Sequence, residues 1–590
     1  MYPLICFKIL LLIATVALRS TAITSLTTTY LGESGRYASA ALVYDTRWIA
    51  LCGLLMLLSY ATRNRWVWGC LQWLSGGVIA LAVLDLYIFQ TTWQRLSWDG
   101  VITFGGEWSA AVDLFVKNLH KPDVLACSAL LGVALLLLLA EPVVLWRLPP
   151  LKSPRRVYVA LGSPALLALA VAPTPWLESR ALGTIKPLAV DVLTYQWAYS
   201  TPPAVDAATK AAFIERYAAL HPAAQPQCPA GWSRQGHVVL VIMESLSSHH
   251  SLRVAGLHDW TPKIDEIFAP GWTFKNFYAN GFRTDLGLAA ILTGVEPVAG
   301  DATGSSIYLN APGAKALPAR LRHHGYSTHF ISGSSLFFLD IDQWLPGIGF
   351  EHLHGPQPAP GETKQNYAFQ VWPDQQTYDA TLKIMQQTPA PGLFVVNTMS
   401  SHMPYQHQET LERGEQAAMA YADQAFADFY RQLERQGFFR QGGLLVLTGD
   451  HRSMTPISAE ERDRYGASAP ARVPLFVLAE NLPPLSVSLI TTPLQQADLP
   501  ASLEYWAGSS ACLQWRQRNI FALSVEQPQR CIVHMRGDNQ RYLNIFCGER
   551  MVEVEMSAQG AQATTDQQQP PGLSEALDDL IARRLGMQLH

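Results

Sequence analysis

Four residues of this chain carry side chains that could together hold a metal ion and run a reaction: Glu244, Thr284, Asp450 and His451. Two carboxylates, an imidazole and an alkoxide suit a divalent ion of the zinc or manganese class, whereas magnesium and calcium favour shells of oxygen alone. A hydroxyl bound to such an ion loses its proton more readily and can attack phosphorus near neutral pH. Each residue by itself also reads as ordinary structure, a carboxylate capping a helix or an Asp-His pair in a surface loop. The argument rests on the three segments that carry them.

The first segment, His237 to Ser245, is a continuous apolar run with β-branched residues that ends on Glu244 and a hydroxyl. Apolar on both faces and polar only at its carboxyl end, it predicts a buried parallel strand. Open α/β sheets collect their ligands at that end. The second, Asn280-Gly-Phe-Arg-Thr284-Asp-Leu-Gly287, leads into an apolar segment reaching Gly294. A hydroxyl between a glycine-containing turn and a helix start is exposed as a nucleophile, with helix amides facing an incoming anion. The third, Gly443 to Gly449, is another strand delivering Asp450, His451 and Arg452 at its carboxyl end. Between them, helices are predicted over Leu317 to His324 and Gln416 to Gln436, and strands over Tyr326 to Ser332, Leu393 to Thr398 and Arg472 to Leu478. This alternation predicts a largely parallel sheet covered by helices on both faces, with the strand ends gathered on one edge.

With these segments in view, the chain resembles the lipoteichoic acid synthase family of the sulfatase and alkaline phosphatase superfamily. The likeness is carried by Val-Ile-Met-Glu244-Ser, Thr261-Pro-Lys-Ile-Asp265, Phe274 to Thr284, Leu292-Thr-Gly294, Thr398-Met-Ser-Ser-His402-Met-Pro-Tyr405 and Leu447-Thr-Gly-Asp-His451. It runs from about 236 to 510, behind a membrane half with the same layout. The resemblance implies an alkaline-phosphatase-like fold with Thr284 as nucleophile and as metal ligand together with Glu244, Asp450 and His451. It implies one divalent metal, manganese first and zinc or magnesium as alternatives, and places His402 beside the substrate phosphate. His402 would orient or protonate the leaving oxygen.

The family's His and Trp-Asn-Arg run, which hold glycerol phosphate, are replaced here by Ser332-Gly-Ser-Ser-Leu-Phe-Phe-Leu-Asp340-Ile-Asp342-Gln-Trp344. The phosphate pocket is therefore less basic. Arg283 and Arg452 are the candidates for supplying the missing charge, since guanidinium forks match phosphate oxygens; each could instead pair with a carboxylate. No Cys or Ser followed by Pro and Arg stands in the nucleophile loop, which disfavours formylglycine sulfatase chemistry. The function expected is transfer or hydrolysis of a phosphate ester, moving a phosphoglycerol-type headgroup from a phospholipid to a periplasmic glycan or to water. Phosphoethanolamine transfer is the alternative within the superfamily. A silent envelope sensor or scaffold is the alternative outside it.

Composition separates the chain into parts. At 590 residues it is too long for one core, and 49% hydrophobic against 15% charged residues points to a membrane portion. A net charge of -4 offers no basic surface for a polyanion, which argues against nucleic acid as partner. Residues 1–175 hold five candidate spans, near 3–19, 44–62, 66–90, 123–146 and 157–175. Thr-Ala-Ile-Thr at 21–24 is a poor cleavage site, so the first span is read as retained. Arg63, Arg65 and the basic loop Arg147 to Arg156 belong on the cytoplasmic side, which puts the catalytic part in the periplasm of a bacterial inner-membrane protein. Asp85 and Glu141 read as interfacial groups, and the loop 91–122 as an amphipathic segment on the headgroups.

Residues 176–235 form a proline-rich connection with one helix over Ala204 to Leu220, 236–510 the catalytic domain, and 511–590 a small antiparallel sheet and tail. The tail reads as a flexible linker at 558–571 before a helix from Ser574 to Met587. Four cysteines lie outside the membrane part; Cys531 and Cys547 flank a hairpin-like stretch and are the favoured pair, leaving Cys228 and Cys512. His249-His250, His323-His324, His352 and His354 read as solvated histidines on loops or helix ends.

Overall fold

The computed structural model describes residues 2–26, 34–92 apart from 63, 96, 122–147, 156–171, 211, 215 and 236–584, the last with breaks at 298–315, 339–340, 357–370, 404, 456, 483–488, 509–518, 522–529, 537–541, 549, 558–559 and 564–569. Most of the expected helix over Ala204 to Leu220, most of the aromatic loop 91–122, and Cys228 and Cys512 lie outside the described residues. The chain divides into a helical unit and an α/β unit.

The helical unit contains α1 (Tyr2–Leu26), α2 (Ser34–Ala61), α3 (Arg65–Thr92), α4 (Pro122–Arg147) and α5 (Arg156–Val171). These match the five candidate spans in position, and among the described residues three helices are long and apolar enough to cross a membrane: Leu4–Thr21, Arg65–Phe89 and Val124–Val143. The interior is not purely apolar. Lys8 of α1 is fully buried and pairs with Glu141 of α4, donating also to the Gln72 carbonyl at 2.7 Å and Ser75 Oγ at 3.0 Å on α3. Eleven residues further along α1, about 16 Å at the helical rise, Arg19 pairs with Asp45 of α2 and reaches Asp85 Oδ2 of α3 at 3.2 Å. Asp85 and Glu141 are thus buried within the helical unit and paired. A charge inside an apolar bundle is tolerated only with a partner, and the partners stand on the first helix, far away in sequence.

The α/β unit is built on an eight-stranded sheet in the order β5-β4-β6-β1-β7-β8-β2-β9. Its strands are β1 (Val238–Met243), β2 (Trp272–Phe274), β4 (Ser327–Ser332), β5 (His352–His354), β6 (Gly392–Asn397), β7 (Leu444–Gly449), β8 (Leu475–Leu478) and β9 (Leu489–Ile490), while β3 (Phe277–Tyr278) pairs separately with β10 (Leu494–Gln495). The five strands from β5 to β7 run parallel; β8 lies antiparallel to β7. Helices α6 (Pro262–Ile267), α7 (Thr284–Thr293), α8 (Leu317–His323), α9 (Ile341–Gly347), α10 (Asp374–Gln387), α11 (Glu415–Arg435), α12 (Ala459–Tyr465) and α13 (Leu499–Trp506) accompany it.

Every residue of β1 is buried, as its unbroken apolar run requires. Val239, Val241 and Met243 pack with Tyr378 of α10 and with Phe426 and Phe429 of α11. Each such side chain gains roughly 1.5–3 kcal/mol by leaving water, so the strand that carries the site is held firmly by the core. The register sets Val238 beside Leu393 of β6 and Met243 beside Gly449 of β7. Glu244 and Asp450 therefore emerge side by side at one sheet edge.

A four-stranded antiparallel sheet, β11 (Ile532–Met535), β12 (Tyr542–Cys547), β13 (Arg550–Ser557) and β14 (Gly560–Ala563), precedes helix α14 (Leu573–Arg584). Cys531 and Cys547 are disulfide-bonded, flanking the Ile532–Phe546 pair of that sheet. Residues 560–563, expected within a flexible linker, form its last strand, because pairing with β13 satisfies backbone groups that composition alone leaves unassigned.

Candidate active site

Glu244 follows β1, Asp450 and His451 follow β7, and Thr284 opens α7, so three separate segments meet at one place. Thr284 Oγ1 lies 3.3 Å from Glu244 Oε2 and 3.3 Å from His451 Nε2. His451 Nε2 is 3.2 Å from Asp450 Oδ2 and 3.6 Å from Glu244 Oε1. Glu244, Asp450 and His451 are each at most 1% exposed, while Thr284 is only half-buried.

The surroundings fix which lone pairs face inward. His451 Nδ1 donates to the Arg452 carbonyl at 2.8 Å, which leaves Nε2 unprotonated toward the cluster. Asp450 Oδ1 accepts the amides of Ser245 and His451 at 2.8 and 2.9 Å, turning Oδ2 to the same point. Glu244 Oε1 accepts the Ser245 hydroxyl at 2.8 Å, while the Glu244 carbonyl accepts Ser401 Oγ at 2.6 Å. Burial, and then the neighbouring Asp450, push the Glu244 carboxyl above its usual range. Two buried carboxylates and an oriented imidazole form the charge arrangement that a divalent cation relieves, and the ligand atoms of Glu244, Asp450 and His451 lie within 4.8 Å of one another. The residues fit such an ion.

Backbone geometry tightens this arrangement. Ser245 adopts φ 57°, a left-handed conformation uncommon for serine, and so contributes both its amide and its hydroxyl to the carboxylates. At Gly287, one turn into α7, a Cβ would stand 2.0 Å from the Asp450 carbonyl oxygen. The helix bearing Thr284 thus rests directly on the strand end bearing Asp450. Gln496 Nε2 donates to the Gly449 and Asp450 carbonyls at 2.8 and 2.7 Å. Asn280, just ahead of the nucleophile loop, is fully buried and ties it to Gln495, Ala497 and the Val533 carbonyl of β11. None of these supporting residues belongs to the sequence-level site, although a glycine inside an otherwise apolar helix is a signal of close backbone approach.

The remaining expected residues are placed less directly. Arg283 is the residue before α7 and makes a forked contact with Asp285, at 3.2 and 3.1 Å, while partly exposed. Arg452 is buried and forked onto Glu461, so its guanidinium serves a structural ion pair. His402 sits on the loop after β6 with Nδ1 2.7 Å from the Met403 carbonyl, and Asp374 anchors that loop through the Met399 and Ser400 amides.

His249 and His250, expected to be solvated, are buried at 4% and 0% exposure beside Glu415. Both Nε2 atoms approach one oxygen of Glu415, at 3.3 and 2.8 Å, and His249 Nδ1 is 3.0 Å from Glu461. The grouping looks like a second set of metal ligands, but the hydrogen bonding argues otherwise. His250 Nδ1 accepts the Ser247 amide, so Nε2 carries the proton that Glu415 receives. Burial works against a charge on His249, yet Glu461 and Glu415, one at each ring nitrogen, hold its pKa above the usual value. With Arg452 this forms a charge-balanced buttress beneath the strand ends.

Residues 236–509 match the Sulfatase family model. Among solved structures the chain is similar to a protein in the alkaline phosphatase superfamily from Vibrio parahaemolyticus, at 17% identity over 66% of this chain and 96% of that one, TM-score 0.47. It is similar also to the lipoteichoic acid synthase LtaP from Listeria monocytogenes, at 14% identity over 63% and 96%, TM-score 0.42. The C-terminal periplasmic domain of EptC from Escherichia coli matches at 15% identity over 52% and 93%, TM-score 0.38.

Proposed function

We propose, taking residues 236–509 as a domain of the sulfatase and alkaline phosphatase superfamily, that this chain is a membrane-anchored, metal-dependent transferase or hydrolase of phosphate esters. Its substrate in this reading is a phospholipid in the outer leaflet of the bacterial inner membrane. A phosphoglycerol-type headgroup passes through a covalent phosphothreonine at Thr284 to a periplasmic glycan or to water. The observation that carries this reading is the half-exposed Thr284 hydroxyl, 3.3 Å from both Glu244 Oε2 and His451 Nε2, at the first position of a helix.

Glu244, Asp450 and His451, with Thr284, would hold a divalent ion, manganese first and zinc or magnesium as alternatives, which supplies Lewis-acid polarisation and a more acidic hydroxyl. Glu244 Oε2 is positioned to accept the Thr284 proton. Thr284 Oγ1 attacks phosphorus, the bond from phosphorus to the diacylglycerol oxygen breaks, and that oxygen takes a proton from His402. His402 enters this step as the imidazolium: its Nδ1–H stays on the Met403 carbonyl, and the proton on Nε2 is the one transferred, leaving the neutral ring. An acceptor hydroxyl then attacks the phosphothreonine and gives its proton to His402, while Thr284 regains its own from Glu244. Arg283, partly exposed next to the nucleophile, adds positive charge near the phosphate; Arg452 acts through the fold, by way of Glu461.

The test uses full-length protein with manganese and vesicles of phosphatidylglycerol or phosphatidylethanolamine, followed by mass spectrometry of the Thr284 peptide. A phosphoglycerol adduct that Thr284→Ala abolishes supports the proposal. A phosphoethanolamine adduct moves it to the alternative donor. No adduct from either lipid, with the folded protein intact, sinks the transferase reading in favour of a silent scaffold.

A further inference from the structure

One buried side chain bonds both to the loop that carries Thr284 and to the strand end that carries Asp450. Strand β10 pairs in parallel with β3, Gln495 opposite Tyr278. Both strands end at that pair, so Gln496 leaves β10 beside Ala279 and Asn280, which lead into the nucleophile loop. Gln496 is fully buried. Its Oε1 accepts the Asn280 amide at 3.0 Å, and its Nε2 donates to the Gly449 and Asp450 carbonyls at 2.8 and 2.7 Å. A primary amide has one acceptor oxygen and two N–H donors. Here the oxygen serves one side of the site and the nitrogen the other.

Between Asn280 and Thr284 the chain has little slack to absorb a shift. Asn280 Nδ2 donates to Gln495 Oε1 at 2.9 Å and to the Val533 carbonyl at 2.8 Å, its Oδ1 accepts the Ala497 amide at 3.1 Å, and its own carbonyl accepts the Met535 amide at 2.8 Å. At Gly281 a Cβ would stand 2.2 Å from Leu286 Cβ, so the loop folds back flat onto the first turn of α7. Packing this close makes residues 280–287 move as one piece. At the far end of that piece Gly287 rests against the same Asp450 carbonyl that Gln496 holds. The steric contact at Gly287 limits how near α7 comes to the strand end, and the hydrogen bonds through Gln496 limit how far it withdraws.

We infer that Gln496 is a positioning residue for the Thr284 reaction, an amide strut that fixes the nucleophile loop to the strand end bearing Asp450 and His451 and so sets the 3.3 Å approach of Thr284 Oγ1 to His451 Nε2. This inference rests on the reading of Thr284 as nucleophile. The bonds of Gln496 go to one backbone amide and two backbone carbonyls rather than to the reacting atoms, so it acts through them. The Asp450 carboxylate and the His451 ring keep anchors of their own, the Ser245 and His451 amides and the Arg452 carbonyl. Removing Gln496 therefore loosens the nucleophile against carboxylate and imidazole groups that stay in place. Rate depends steeply on that placement, while the grip on an ion depends on groups Gln496 does not touch.

The experiment compares wild type with Gln496→Met and Gln496→Asn, each as full-length protein in detergent with manganese. Methionine keeps the volume of glutamine without its hydrogen bonds, and asparagine keeps the amide one methylene short of the span. Hydrogen exchange of peptides covering Asn280 to Gly287 should quicken about tenfold in both, while β1 exchanges as in wild type and so reports a folded protein. If Gln496→Met fails that check, Gln496→Asn decides. With saturating vesicles of phosphatidylglycerol or phosphatidylethanolamine, the rate of Thr284 adduct formation should fall about 100-fold, the half-saturating lipid concentration and the manganese affinity staying as in wild type. A residue that only fills space gives the reverse order, Gln496→Met like wild type and Gln496→Asn impaired; that result overturns the inference. Unchanged exchange over the loop, or faster exchange with an unchanged rate, overturns it as well. A wild type that forms no adduct fails the nucleophile reading instead, and the exchange data still decide whether Gln496 ties the loop.

Discussion

Gly287→Ala separates two accounts of the helix that carries the nucleophile. By helix propensity alone, replacing a glycine in the interior of a helix with alanine stabilises by about 1 kcal/mol. The structure reverses the sign, because the new Cβ would meet the Asp450 carbonyl oxygen at 2.0 Å and its carbon at 2.7 Å. A carbon–oxygen contact needs about 3.3 Å, so α7 or the strand end must retreat by roughly 1.3 Å. Asp450 cannot retreat freely, since its carbonyl is held by Gln496 and its carboxylate by two amides.

Overpacking of this kind costs about 1–3 kcal/mol, leaving a net loss of up to about 2 kcal/mol after the propensity gain. Thr284 lies one turn away on the same helix and moves with it. A displacement near 1 Å at reacting atoms can cost about 100-fold in rate. The assay is the rate of Thr284 adduct formation with manganese and lipid vesicles, alongside thermal unfolding. Gly347→Ala serves as control, because a Cβ there meets nothing within 4 Å. A Gly287→Ala protein that melts higher than wild type and forms the adduct at the wild-type rate refutes the reasoning.

Three further outcomes follow from buried charge. Glu461→Gln should destabilise the α/β unit by about 3–5 kcal/mol in urea unfolding, because it removes the carboxylate that Arg452 forks onto and that faces His249 Nδ1; adding Arg452→Met should recover part of that loss, and strict additivity would contradict the pairing. Lys8→Leu leaves Glu141 unpaired inside the helical unit and should lower the melting temperature in detergent, while Lys8→Glu with Glu141→Lys should restore it; a swap no better than Lys8→Leu argues against the pair. The third concerns pH. His329 has a folded pKa near 4 against 6.5, so its contribution is complete above about 6.5 and is lost as pH falls from there toward 4, by up to roughly 3 kcal/mol. His329→Phe keeps the stacking on Phe394 and should flatten the decline in urea midpoint between pH 7 and 4.5; an unchanged slope would show that burial, with His352, His354 and His237 beside it, is not holding that ring neutral.

Much of the site was legible because its parts lie at ends of elements with strong local signals. The apolar run into Glu244, the glycine turn before Thr284 and the strand into Asp450 each announce a boundary, and polar residues at such boundaries point to one sheet edge. Helix α11 and strands β4 and β6 lie within a residue or two of their expected limits for the same reason. The histidines show where this stops. Local pattern gives His249-His250 and His352-x-His354 the same polar, loop-like appearance. One pair is buried against Glu415 and Glu461, while the other lies on a strand against His329.

The order of apolar and polar residues along the chain determined the parallel strands, the helix behind Thr284, the disulfide-flanked hairpin and the helical region ahead of them, since each depends on neighbours within about twenty positions. Which charges meet was decided only by tertiary structure. Arg452 has the same donors whether it faces a phosphate or Glu461, and Lys8 the same ammonium whether it lies at an interface or against Glu141. Burial removes the option of water, and the nearest opposite charge then sets the role. That partner lies nine residues away for Arg452 and 133 for Lys8, and only in the second case is it wholly beyond the reach of local pattern.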